Sequence, residues 1–168
     1  MSKFKCSVSL SAALMVAAIS CSPNAAFAAT ATGQFNVTLT IQAECKLQSA
    51  SALAFGSDGV LDSTITSTSS LGVQCTNGTA YAVGLGAGNG AGATTASRSM
   101  TASGATVTYA LYRDSNRLLN WGENAGSDTY SSTGTGALQT LTIYGSVAAQ
   151  TTPAPGSYSD VVQVTITY

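Results

Sequence analysis

The residues best able to do covalent chemistry here are four cysteines: Cys6, Cys21, Cys45 and Cys75. The separation of Cys45 from Cys75 matches neither a CxxC redox pair nor a zinc-ligand spacing. Histidine is absent, so no Ser-His-Asp or Cys-His arrangement exists for nucleophilic catalysis. The acidic residues are scattered. Asp58 and Asp62 near Gly59 do not follow a calcium-loop pattern, and nothing favours a carboxylate pair such as Asp114 with Glu123 for hydrolysis. The glycine run Gly84, Gly86, Gly88, Gly90, Gly92 carries no lysine and opens no helix, so it reads as a flexible loop rather than a phosphate cradle. Trp121 with Tyr112 and Tyr130 has the composition of a sugar-stacking patch, but ordinary packing or an exposed loop aromatic is the favoured reading. Asn36-Val37-Thr38 and Asn77-Gly78-Thr79 match a glycosylation pattern that is frequent by chance. The expectation is a protein that is not an enzyme and uses no metal or cofactor.

The leading stretch has the organisation of a signal peptide. Lys3 and Lys5 precede an apolar run over residues 8–19, and Ala26-Phe27-Ala28 supplies small residues where a signal peptidase reads. Residues 1–28 are therefore expected to be removed, and the run is too short to span a membrane. A signal peptide implies an oxidising compartment, where Cys45 and Cys75 are expected to form a disulfide. Six Lys/Arg oppose seven Asp/Glu in the whole chain; Lys3 and Lys5 leave with the leader, so the remainder has net charge −3. Such a chain offers no basic stripe for nucleic acid.

The elements that must hold any site are strands. Apolar residues recur at every second position, which places them on one face of a strand. The sets are Leu71, Val73, Cys75; Tyr81, Val83, Leu85; Val107, Tyr109, Leu111; and Leu141, Ile143, Val147. The sequence closes with Val162, Val164, Ile166 and Tyr168 in phase, opposed by Val161, Gln163, Thr165 and Thr167. Turn-forming clusters separate the runs, and the spacing predicts an all-β sandwich whose two inner faces are filled by the alternating apolar residues.

The most informative stretch lies just after the leader. Ala31, Gly33, Phe35, Val37, Leu39, Ile41, Ala43, Cys45 and Leu47 are all apolar or small, and every intervening residue from Thr30 to Lys46 is polar. This period runs for roughly 60 Å at about 3.3 Å per residue, more than one strand of a small sandwich uses. Residues 29–41 therefore read as a donor strand for another molecule's sheet, with Phe35, Val37, Leu39 and Ile41 as anchors. Residues 42–168 read as the domain proper. The sequence ends at Tyr168, in an apolar strand after which an immunoglobulin-like sandwich has one more. Val162, Val164, Ile166 and Tyr168 are expected to line the acceptor groove that this leaves, the strand-addition mode of recognition.

Several marks together resemble a known family. They are Phe35-Asn36-Val37-Thr38-Leu39-Thr40-Ile41 leading to Cys45, then Leu53-Ala54-Phe55-Gly56, then Tyr109-Ala110-Leu111-Tyr112-Arg113-Asp114. The ending from Gly156-Ser157-Tyr158-Ser159-Asp160 through Val161-Val162-Gln163-Val164-Thr165-Ile166-Thr167-Tyr168 completes the set. The chain is similar to spore coat protein U domain proteins, which include subunits of archaic, Csu-type chaperone–usher pili. The resemblance implies an incomplete immunoglobulin-like β-sandwich completed by donor-strand complementation. It implies a periplasmic chaperone, an outer-membrane usher and other pilus subunits as partners, in a head-to-tail homopolymer or a hetero-polymer. It further implies a surface pilus serving adhesion or biofilm formation. Two other readings stay open: a self-contained secreted module or coat protein that binds carbohydrate, and a surface protein lipidated at Cys21.

Mass spectrometry of the exported protein is expected to give an N-terminus at Ala29 with no adduct. A fragment beginning at a diacylglyceryl-modified Cys21 would overturn cleavage after Ala28 and favour the lipidated reading.

Overall fold

The computed structural model describes residues 28–168; the signal-peptide reading for residues 1–28 falls, but for Ala28, outside the described residues. The chain divides into two units between Leu39 and Thr40. The eight strands among the described residues all belong to the second: β1 (Cys45–Ala50), β2 (Ile65–Cys75), β3 (Ala80–Leu85), β4 (Arg98–Ala102), β5 (Ala105–Tyr112), β6 (Tyr130–Thr133), β7 (Leu138–Val147) and β8 (Val164–Thr167). Among the described residues there is no helix. The strands form a five-stranded sheet in the order β1-β2-β7-β5-β4 and a three-stranded sheet in the order β6-β3-β8, with every pair antiparallel. The all-β sandwich expected from the two-residue period is the fold observed.

The period also identifies the core. Leu71, Val73 and Cys75 on β2, Tyr81, Val83 and Leu85 on β3, Val107, Tyr109 and Leu111 on β5, and Leu141, Ile143 and Val147 on β7 are all buried between the sheets. The longest ladder joins β2 to β7 from Ile65↔Val147 to Gln74↔Leu138. Trp121 is completely buried, donates Nε1–H to the carbonyl of Val83 at 2.8 Å and packs on Tyr130. Its role is packing, and a sugar-stacking role is overturned because the ring has no free face.

One hairpin was not part of the sequence reading, and two features differ from it. The hairpin β4–β5 turns at Ser103-Gly104, both with positive φ (48° and 84°), the geometry that matches strand twist in a two-residue hairpin. The glycine run is not wholly a loop, because Gly84 lies inside β3. The long alternation also becomes a strand only from Cys45; residues 28–44 lie outside any strand. A two-residue period says which side chains share a face. A strand also needs a neighbour to take its backbone hydrogen bonds.

An arginine completes the core. Arg98 is 0% exposed. Its Nε donates to Gly86 O, its Nη2 to Leu85 O and Trp121 O, and its Nη1 to Thr95 O, all at 2.6–2.7 Å. Burial lowers its pKa from the ordinary value. The carbonyls fix the guanidinium and tie the end of β3 to β4 and to the segment around Trp121. Replacing Arg98 by leucine leaves these carbonyls without a donor, at about 1–3 kcal/mol for each one that water does not reach. Arg98→Leu is expected to destabilise by more than about 3 kcal/mol, read as a fall of at least about 1 M in the urea midpoint. A change within about 0.5 kcal/mol would show that the carbonyls find other donors.

Candidate functional site

β8 is the edge of its sheet. One side pairs with β3 through Ala82↔Thr167, Val83↔Ile166, Gly84↔Thr165 and Leu85↔Val164. Gly86 N–H donates to Gln163 O at 2.9 Å, which sets the phase of the ladder. Hydrogen-bonded pairs alternate along an antiparallel ladder, so Gln163, Thr165 and Thr167 direct their backbone groups toward β3. Leu85 points the other way, its N–H going to Gly122 O and its C=O to Arg98. It follows that the N–H and C=O of Val164 and Ile166 face the open side, where no described strand pairs with them.

Those same residues turn their side chains inward. Val162, Val164 and Ile166 are half-buried against the core, whereas Tyr168 is 60% exposed. β1 is the edge of the other sheet, and its Cα atoms come within 8 Å of those of β8. The open side of the sandwich is thus bounded by two unpaired edges with apolar side chains between them.

The chain reaches β8 from the far edge of the five-stranded sheet. Thr101 N–H donates to Ser159 O at 2.9 Å, so Ser159 lies on β4. Asp160 then fixes the crossing. Its Oδ1 accepts from Asn89 N (2.7 Å) and Val161 N (2.8 Å), and its Oδ2 accepts from the Tyr109 hydroxyl (2.7 Å). Burial, then the bond to Asp160, raises the Tyr109 pKa above the ordinary phenol value. The phenol therefore stays a donor at any physiological pH. Sequence reasoning did not find Arg98, Tyr109 or Asp160 as supports of this edge. The available signal was a lone arginine between the glycine run and the predicted strand of Val107, Tyr109 and Leu111, in a chain with only 8% charged residues.

The other predicted residues sit as follows. Phe35 is 86% exposed, Val37 83%, Leu39 85% and Ile41 72%. Exposure of four large apolar side chains at every second position is unfavourable in water by about 1.5–3 kcal/mol each relative to full burial. Cys45 and Cys75 are joined by a disulfide across the ladder β1–β2. The carboxylate of Asp114 accepts the N–H groups of Leu118 and Leu119, so its role is to close a loop. Among the described residues, no group of three His, Cys, Asp or Glu is placed to hold a metal ion.

The model of the Spore Coat Protein U domain matches residues 31–165. The chain belongs to that family. No curated protein sequence matches it. Among solved structures, one similar to this Spore Coat Protein U domain is the CsuC–CsuE chaperone–tip adhesion subunit pre-assembly complex from the archaic chaperone–usher Csu pili of Acinetobacter baumannii. The TM-score is 0.56 and the identity 21%, over 77% of this chain and 40% of that one. The chain therefore spans well under half of that neighbour's length, and the likeness concerns the fold.

The disulfide of this Spore Coat Protein U domain closes 30 residues of chain. Replacing both cysteines by serine is expected to cost about 3–4 kcal/mol in the chain-entropy account. Urea titration of oxidised protein against the double variant measures it. Identical midpoints would mean that β1 is held without the bond.

Proposed function

We propose that the chain is a structural subunit of a chaperone–usher pilus, with a structural rather than catalytic role, and that it polymerises by lending residues 29–41 to a neighbouring copy. The observation that carries this reading is the phase of β8. Val164 and Ile166 present free backbone groups and inward side chains at the same positions. An incoming strand with apolar residues at every second position satisfies both at once. Residues 29–41 have that period, and their anchors Phe35, Val37, Leu39 and Ile41 are exposed. Burying the four in a groove lined by Val162, Val164, Ile166 and Tyr168 is worth up to about 6–12 kcal/mol, taken as an upper bound. That range suits a permanent joint.

Family membership and the fold likeness to a pilus subunit support the same reading. The domain plan is a leader over residues 1–28, a donor segment over 29–41 and the sandwich over 42–168. A periplasmic chaperone covers the open edge until, at an outer-membrane usher, the donor segment of the next subunit replaces it. The product is a surface filament that serves adhesion or biofilm formation.

The test is assembly in cells that also express the cognate chaperone and usher. Deleting residues 29–41 is expected to abolish surface polymer and leave a one-to-one complex with the chaperone. Leu39→Asp, which puts a charge into the groove, is expected to reduce polymer at least about tenfold, since an unpaired buried charge costs several kcal/mol. The Cys45–Cys75 bond should still form in that variant, as read on a non-reducing gel. Polymer at wild-type level in the deletion would refute the proposal.

A further inference from the structure

The polymer reading makes the point where the donor segment leaves the domain mechanically important, and one side chain there holds the chain on both sides. Glu44 N–H donates to Thr76 Oγ1 at 3.1 Å. The Thr76 hydroxyl lies 3.1 Å from Gln42 O and 3.3 Å from Glu44 O, with one proton to give to either. Thr76 N–H donates to Glu44 O at 2.9 Å. The next residue along is Cys45, bonded to Cys75. Gln42, Glu44 and Cys45 are therefore each tied to the two-residue piece Cys75-Thr76.

That piece is itself held firmly. It begins a tight turn closed by Thr79 N–H on Thr76 O at 3.0 Å, and the turn is bonded to the one between β6 and β7. Gly78 N–H donates to Gly134 O (2.9 Å), Gly134 N–H to Thr79 O (2.7 Å) and Gly136 N–H to Cys75 O (3.0 Å). A Cβ at Gly134 would lie 2.5 Å from Thr76 O and 2.7 Å from Cys75 Cβ, so the two turns meet with no room for a side chain.

We propose that Thr76 is a positioning residue that fixes the direction in which the donor segment leaves the domain, so that successive copies of this chain are joined at a set angle. The inference rests on the donor-strand reading. If the donor strand runs to Ile41, the joint consists of residues 42–44, at most about 10 Å of chain. Each end of that piece is hydrogen-bonded to Thr76. A free linker of the same length would let neighbouring subunits swing about its rotatable bonds. The clamp removes that freedom.

The experiment compares filaments of wild type, Thr76→Val, Thr76→Ser and a variant with Gly-Ser inserted between Ile41 and Gln42, imaged by electron microscopy. Valine keeps the branched shape and loses the hydroxyl, and water reaches the Glu44 N–H it abandons, since Glu44 is exposed. Thr76→Val is expected to form filaments of normal amount and subunit spacing whose persistence length falls at least about twofold. Thr76→Ser should restore the wild-type value. A role in folding alone would change yield and melting temperature but not curvature. If Thr76→Val does not fold, the insertion decides, because it adds free residues outside an intact domain and should soften the filament equally. Equal persistence lengths in wild type, Thr76→Val and the insertion would overturn the inference while leaving donor-strand assembly standing. Absence of filaments from wild type would overturn both.

Discussion

Backbone hydrogen bonding at one sheet edge governs the rest of this molecule. A buried strand edge with unmet N–H and C=O groups is costly, and an edge that also exposes apolar side chains is doubly so. β8 has four residues and one neighbour, yet it carries Val164 and Ile166 into the core. Its other side faces β1, likewise unpaired on that side. The domain holds an unpaired edge in a defined place, of the kind that an added strand of matching period would satisfy.

Holding such an edge demands rigidity around it, because a short edge strand contributes little stability of its own. That rigidity comes from the few charged side chains in a nearly uncharged protein. Arg98 gathers carbonyls from the end of β3, the loop before β4 and the Trp121 segment. Asp160 gathers Asn89, Val161 and Tyr109 at the crossing that leads into β8. In each case the hydrogen bonds go to backbone groups or a phenol rather than to an opposite charge, although Asp160, Glu123 and Asp128 lie near enough to favour the charged form of Arg98. A charge satisfied in this way fixes geometry without requiring a second charge to be buried.

The two ends of the proposed joint are built differently. The acceptor end relies on backbone groups left unpaired at Val164 and Ile166. The donor end relies on covalent and side-chain ties, the Cys45–Cys75 bond and the Thr76 hydroxyl. The two lie one residue apart, at Cys75 and Thr76, so the disulfide and the hydroxyl hold the same short piece of chain leading into β1.

Much of this was legible in the residues alone. The two-residue period identified the inward sets on β2, β3, β5 and β7 and the apolar face of residues 31–41, because side-chain alternation is a local property of an extended chain. The pairing of Cys45 with Cys75 followed from compartment chemistry and a count of two. Which strands neighbour which was not legible, because sheet order depends on contacts between residues far apart in sequence. Nor was the burial of Arg98, since a carbonyl cage drawn from three separate segments leaves no local pattern. The clamp at Thr76 was hidden for the same reason: its partners Gln42 and Glu44 lie more than thirty residues upstream. Sequence determined which faces are apolar. Tertiary structure alone decided which edge stays open, because an edge is defined by the strand that is not beside it.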